Sequence, residues 1–133
     1  KSQLNPVIGE TLEGYYPDGT KIYCEQISHH PPISYFLIIG PNDSYRYYGY
    51  YAFSAHAGLN SMTLVNKGRR HFEFKNGDVI SVDFNKEIYS GAFLGTLRSE
   101  AVDGISFNDT KNNVETTVKF GKVKKRPSDY FIG

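Results

Sequence analysis

The chain has 133 residues, enough for one domain that hides roughly two-thirds of its unfolded surface. Apolar residues make up 39% and charged residues 22%, which excludes an intrinsically disordered chain. Fifteen basic against fourteen acidic side chains leave a net charge of +1, which excludes the broad positive field of a non-specific nucleic-acid binder. Eleven Tyr and nine Phe, with no Trp, favour strands over helices and point to an all-β fold. Cys24 is the only cysteine, so no internal disulfide or multi-cysteine metal site is expected, and a reduced intracellular compartment is. The longest apolar stretch, residues 35–39, is far below the roughly 20 residues of a membrane-spanning helix, and no secretory signal opens the chain. A cytoplasmic protein, at most peripheral on membranes, is expected. Opening at Lys1 in mid-pattern, the sequence reads as a segment of a longer protein.

Turn signals recur every eight to twelve residues, the spacing of a meander of short strands. Pro17-Asp18-Gly19 separates LEGYY from TKIYCEQI and predicts the first hairpin. ISYFLIIG (33–40) and the Tyr-rich YRYYGYYAF (45–53) read as paired strands across Pro41-Asn42-Asp43-Ser44. In HFEFKNGDVISVDF, Phe72, Phe74, Ile80, Val82 and Phe84 alternate with polar residues about Asn76-Gly77, a dipeptide suited to a type I′ turn. GAFLGTLR (91–98), the Asp103-Gly104 pair and a second alternating strand around VETTVKF (114–120) extend the meander. No window carries a 3.6-residue apolar stripe, so little helix is expected. Lys119, Lys122, Lys124, Lys125 and Arg126 crowd one edge and read as a charged edge that resists aggregation.

The segment Glu25-Gln26-Ile27-Ser28-His29-His30-Pro31-Pro32 is an odd way to continue a strand. Each Pro removes a ladder N–H, and Pro31 pushes His30 into extended geometry, so the strand must stop or break here. On a regular pleat His29 and His30 would face opposite sides, and one ligand reaches both only if the backbone is irregular. Four uses remain open on the residues themselves. A metal site lacks further ligands, since His56 and His71 show no local spacing and Cys24 is a lone thiol. A serine or metal-dependent hydrolase would need Ser28 or another nucleophile with an orienting carboxylate, and no nucleophile elbow is present. The pair could simply hydrogen-bond in a loop mouth. It could also donate ring N–H bonds to a phosphate, imidazole being the side chain that titrates near neutral pH.

EQISHHPP (25–32) resembles the EQVSHHPP fingerprint of the oxysterol-binding-protein-related (OSBP-related) lipid-transfer family, differing only by Ile27 for Val. NPVIGE (5–10) resembles the family's NP-x-x-GE segment, and GLNSMTLVNKG (58–68) and GAFLGTL through VKF resemble its core strands. The resemblance implies the central β-barrel segment of the family's lipid-binding domain: a single unit over 1–133, an antiparallel meander forming part of an incomplete barrel, without the N-terminal lid and C-terminal helical part. Family members bind one lipid at a time and exchange sterol or phosphatidylserine for phosphatidylinositol 4-phosphate between membranes at contact sites. Carried over by position, the resemblance puts the inositol phosphate on His29 and His30, with Asn5 beside the headgroup. Where the family has a lysine three residues before that asparagine this chain has Ser2, and the cation falls to Lys1. No enzymatic activity, cofactor or metal is implied; the partners implied are a lipid (phosphoinositide, sterol or phosphatidylserine) and anionic membrane surfaces touched peripherally, with a monomeric full-length domain at organelle membranes. Of the remaining features, Tyr45, Tyr47, Tyr48, Tyr50 and Tyr51 put rings on both strand faces and read as cross-strand packing. Lys67, Arg69 and Arg70 read as a solvated turn. No aromatic-glycine signature of RNA recognition is present, and nucleic acid is not an expected partner.

Overall fold

The computed structural model describes residues 6–120 and 131–133. Among the described residues the β-forming composition resolves into eleven strands: β1 (Thr11–Tyr15), β2 (Lys21–Ser28), β3 (Ile33–Ile39), β4 (Tyr45–Ala57), β5 (Ser61–Asn66), β6 (Arg69–Phe74), β7 (Val79–Asp83), β8 (Lys86–Ser90), β9 (Arg98–Asp109), β10 (Val114–Phe120) and β11 (Phe131–Ile132). A 3-10 turn at Pro41–Asp43 is the one helical element among the described residues. All pairings are antiparallel, so the sheet is the expected meander.

Both predicted hairpins form, with a shared turn geometry. Gly19 N–H bonds Tyr16 C=O at 3.0 Å and Tyr16 N–H bonds Thr20 C=O at 2.9 Å. Thr20 N–H also donates to Asp18 Oδ1 at 2.9 Å, which holds the Asp18 carboxyl below its ordinary pKa. Around Asn76-Gly77 the same pattern links Gly77 N–H to Phe74 C=O and Phe74 N–H to Asp78 C=O. Only Gly77 takes a positive φ (82°) there, so the connection is a three-residue loop ending in a left-handed glycine, in place of the type I′ turn, which needs positive φ at both central residues. GAFLGTLR also departs from the strand reading. Gly91 and Gly95 adopt φ of 79° and 100°, and Asn60 Oδ1 accepts the N–H groups of Phe93 and Leu94 that a strand would give to a neighbour, so residues 91–97 form a loop.

The long strand β4 sets the architecture. One edge pairs with β3, while the other pairs with β6 through residues 45–49 and with β5 through residues 53–57. β5 and β6 are thus two halves of one arm, interrupted at Lys67-Gly68. β7 and β8 are the halves of the next arm, and the register slips by one residue across Phe84-Asn85. β9 spans both halves again, bending at Asp103 (φ 65°), so Asp103-Gly104 is a kink inside a strand and does not reverse the chain. The interruptions share one line, along which the sheet bends. At that line Gly68 approaches Tyr50 so closely that a Cβ would collide with the Tyr50 carbonyl oxygen.

The aromatic side chains follow strand parity. On one face Phe36 packs between Tyr47 (5.0 Å between ring centroids) and Tyr51 (5.1 Å), and Tyr47 stacks on Phe72 (4.1 Å). Tyr51 also meets Phe84 at 5.1 Å although another arm lies between their strands, so this face is the concave one. Among the described residues Phe36 and Val82 are the most buried apolar side chains, at 8% and 4% exposure. The other face carries Tyr35 on Tyr50, Tyr48 on His71, and the ion pairs Arg46 with Glu73 and Arg69 with Asp83.

Two stability predictions follow from this packing. Gly77→Ala, with open space for the methyl, costs about 1 kcal/mol for its left-handed backbone, whereas Gly68→Ala costs about 3 kcal/mol because backbone must move; equal costs in urea unfolding would contradict the close approach at the bend. Phe36→Ala should lose about 3 kcal/mol and the half-exposed Tyr35→Ala about 1 kcal/mol, a difference readable as separated denaturation midpoints.

Candidate functional site

β2 ends at Ser28 because the sequence runs into His29, His30 and two prolines, and the β2–β3 register shifts between Gln26 and Ser28. Residues 29–32 form the turn to β3, with a cis His30–Pro31 peptide bond. The break places the two imidazoles together: their centroids lie 4.7 Å apart at an interplanar angle of 68°. An unbroken strand would have sent them to opposite faces. His29 is half-buried and His30 exposed.

Gln26 anchors this turn. It is 5% exposed, its side-chain N–H donates to Ser28 C=O, and its Oε1 accepts from the Ser34 hydroxyl. Its backbone reaches the other way: Gly9 N–H donates to Gln26 C=O at 2.7 Å, and Gln26 N–H donates to Glu10 C=O at 3.1 Å. The segment 7–10 therefore docks at the base of the histidine turn, in a tight bend held by Val7 N–H on Glu10 Oε2 at 2.9 Å. Asn5 and Lys1 precede that segment and lie outside the described residues, as do Lys122, Lys124, Lys125 and Arg126 of the basic edge. Lys119 is on β10, opposite Gly104 and Ile132.

Gln26, Ser34 and Tyr51 stand opposite one another on three successive strands. The row runs from the histidine turn to a hollow of about 190 Å³ on the concave face, lined by Tyr51, Phe53, Leu64, Phe84 and the polar Asn66, Asn85 and Glu87. Burial pushes the Tyr51 hydroxyl pKa up, keeping it a neutral hydrogen-bonding group. Arg70 corrects the solvated-turn reading: its guanidinium lies 3.9 Å over the Phe84 ring and donates to Asp83 C=O at 2.7 Å, and its buried Nε finds no acceptor among the described residues. Arg69 does stay outside, and Lys67 is exposed. The parity that Arg70 shares with Phe72 and Phe74 was the available signal. His71 bonds Ser81 Oγ through Nδ1 at 3.0 Å on the opposite face, and His56 is exposed on β4. Among the described residues no three His, Cys, Asp or Glu side chains gather to hold a metal, and no helix is long and apolar enough to cross a membrane.

The family described as Oxysterol-binding protein matches residues 1–129 of this chain. Oxysterol-binding protein 9 of Dictyostelium discoideum is 34% identical over 117 residues, covering 88% of this chain and 27% of that protein. Human oxysterol-binding protein-related protein 5 is 26% identical over 126 residues, covering 90% of this chain and 14% of that protein. Among solved structures, the Osh3 ORD of Saccharomyces cerevisiae in complex with PI(4)P superposes with a TM-score of 0.81 at 22% identity, covering 94% of this chain and 33% of that one. The Osh1 ORD domain in complex with cholesterol superposes with a TM-score of 0.80 at 22% identity, covering 88% and 29%. This chain thus spans about a third or less of the relatives it matches. The eight-residue segment around paired histidines, the meander that carries it and the match along nearly the whole length agree: the chain belongs to the oxysterol-binding protein family.

Proposed function

We propose that this chain is the headgroup-proximal part of a domain that binds one lipid at a time and carries it between membranes, with phosphatidylinositol 4-phosphate and/or a sterol or phospholipid as ligand. The observation that carries this reading is the strand break that sets His29 and His30 side by side, joined in register to an aromatic hollow. A phosphate monoester needs several converging N–H donors, and paired imidazoles supply them at the rim. Acyl chains or a sterol need a dry apolar wall, which the face bearing Phe36, Tyr47, Tyr51 and Phe72 provides. Asn5 and Lys1 add headgroup contacts, since the segment after them is tied to Gln26. The role in this reading is non-enzymatic, since carrying a lipid makes and breaks no covalent bond. The full domain acts as a monomer in the cytoplasm and touches anionic organelle membranes peripherally, without nucleic acid.

The test is extraction of phosphatidylinositol 4-phosphate from liposomes by the full-length protein, wild type against His29→Ala/His30→Ala at matched folding. Losing two hydrogen bonds to a charged group weakens binding about a hundredfold. Undiminished extraction would remove the histidines from the headgroup site. Purified protein should also hold no stoichiometric zinc, a point that elemental analysis decides against the metal-hydrolase alternative.

A further inference from the structure

The two imidazoles lie side by side only because the strand breaks where it does, and the prolines alone do not fix how it breaks. A bulge leaves backbone groups without ladder partners, and something must satisfy them. Here it is Gln26, the most buried polar side chain near the turn at 5% exposure. The amide works at both ends: it donates to the C=O of Ser28, immediately before His29, and accepts from the hydroxyl of Ser34, the second residue of β3. It therefore ties the last residue before the turn to the strand after it. No other side chain of this length offers a donor and an acceptor at once without a charge.

We propose that Gln26 is the positioning residue of the headgroup site: its carboxamide holds the β2 break in the one geometry that brings both imidazoles to the same side. This rests on the headgroup reading of His29 and His30. Gln26 acts through them and does not touch the lipid. Glu is the same size, keeps the acceptor for Ser34, and sets a carboxylate oxygen against the Ser28 carbonyl.

The test is a double-mutant cycle in the full-length protein, using vesicles of phosphatidylcholine containing phosphatidylinositol 4-phosphate as the probe and phosphatidylcholine vesicles as the blank. Gln26→Glu should weaken binding about tenfold in the wild-type background and not at all in His29→Ala/His30→Ala, because the amide then has nothing to position. Lower pH should restore much of the binding of Gln26→Glu, since the protonated acid regains a donor for Ser28 C=O. If that variant fails to fold, Ser34→Ala, which removes only the hydroxyl on Oε1, serves in its place with an expected threefold loss of the same non-additive form, on the order of a single neutral hydrogen bond. A penalty that persists undiminished without the histidines, or no penalty where the histidines matter, overturns the positioning role alone. Full binding without the histidines overturns the headgroup reading and this role together.

Discussion

At the line where the sheet bends, the side-chain oxygen of Asn66 takes two backbone N–H groups, Ala52 at 2.9 Å and Gly68 at 3.0 Å, while Lys67 N–H returns to Ala52 C=O at 2.9 Å. β4 is longer than either partner on that edge, and between β5 and β6 its backbone would otherwise lose its ladder. One carboxamide closes the gap, and a glycine allows the strands to meet there. Because the arms break along a common line, the sheet folds toward one face instead of twisting evenly, and Tyr51 comes within reach of Phe84 across an intervening arm.

The histidine turn repeats the device on a smaller scale. There too a side-chain carboxamide, that of the buried Gln26, bonds backbone at a strand interruption, and there too the interruption turns side chains toward a common space. The two irregularities are linked by the cross-strand row Gln26, Ser34 and Tyr51, so polar donors and aromatic wall are neighbours. A ligand with a charged head and an apolar body fits such a neighbourhood without leaving either part in the wrong solvent.

Local signals in the sequence were legible where the chemistry is local. Pro17-Asp18-Gly19 and Asn76-Gly77 announced their hairpins, and the alternation from Phe72 to Phe84 announced the strands, because turn dihedrals and period-two burial are written in adjacent residues. The bend was not legible, since it depends on Asn66 meeting Ala52 fourteen residues away. Gly91 and Gly95 were signals for a loop, but Phe93 and Leu94 outweighed them in an apolar reading, and the capture of their N–H groups by Asn60 is again long-range. Of the site, the oddity of His29-His30-Pro31-Pro32 was plain, and its meaning came from the resemblance of the eight residues. Gln26 carries no such signal, because a glutamine in a strand looks solvated until its burial is known. Arg70 was hidden by its neighbours Lys67 and Arg69, which made a charged turn of a residue whose parity is that of the aromatic wall.

The central claim is that both imidazoles contact a phosphate. Nitrogen-15 spectra of the histidine rings in the full-length protein, titrated with short-chain phosphatidylinositol 4-phosphate and, separately, with phosphatidylinositol, test it most directly. Saturable shifts of the His29 and His30 rings with the phosphorylated lipid, and little change with the unphosphorylated one, are the predicted result. Rings that stay still while the lipid binds, or that respond equally to both lipids, would contradict it.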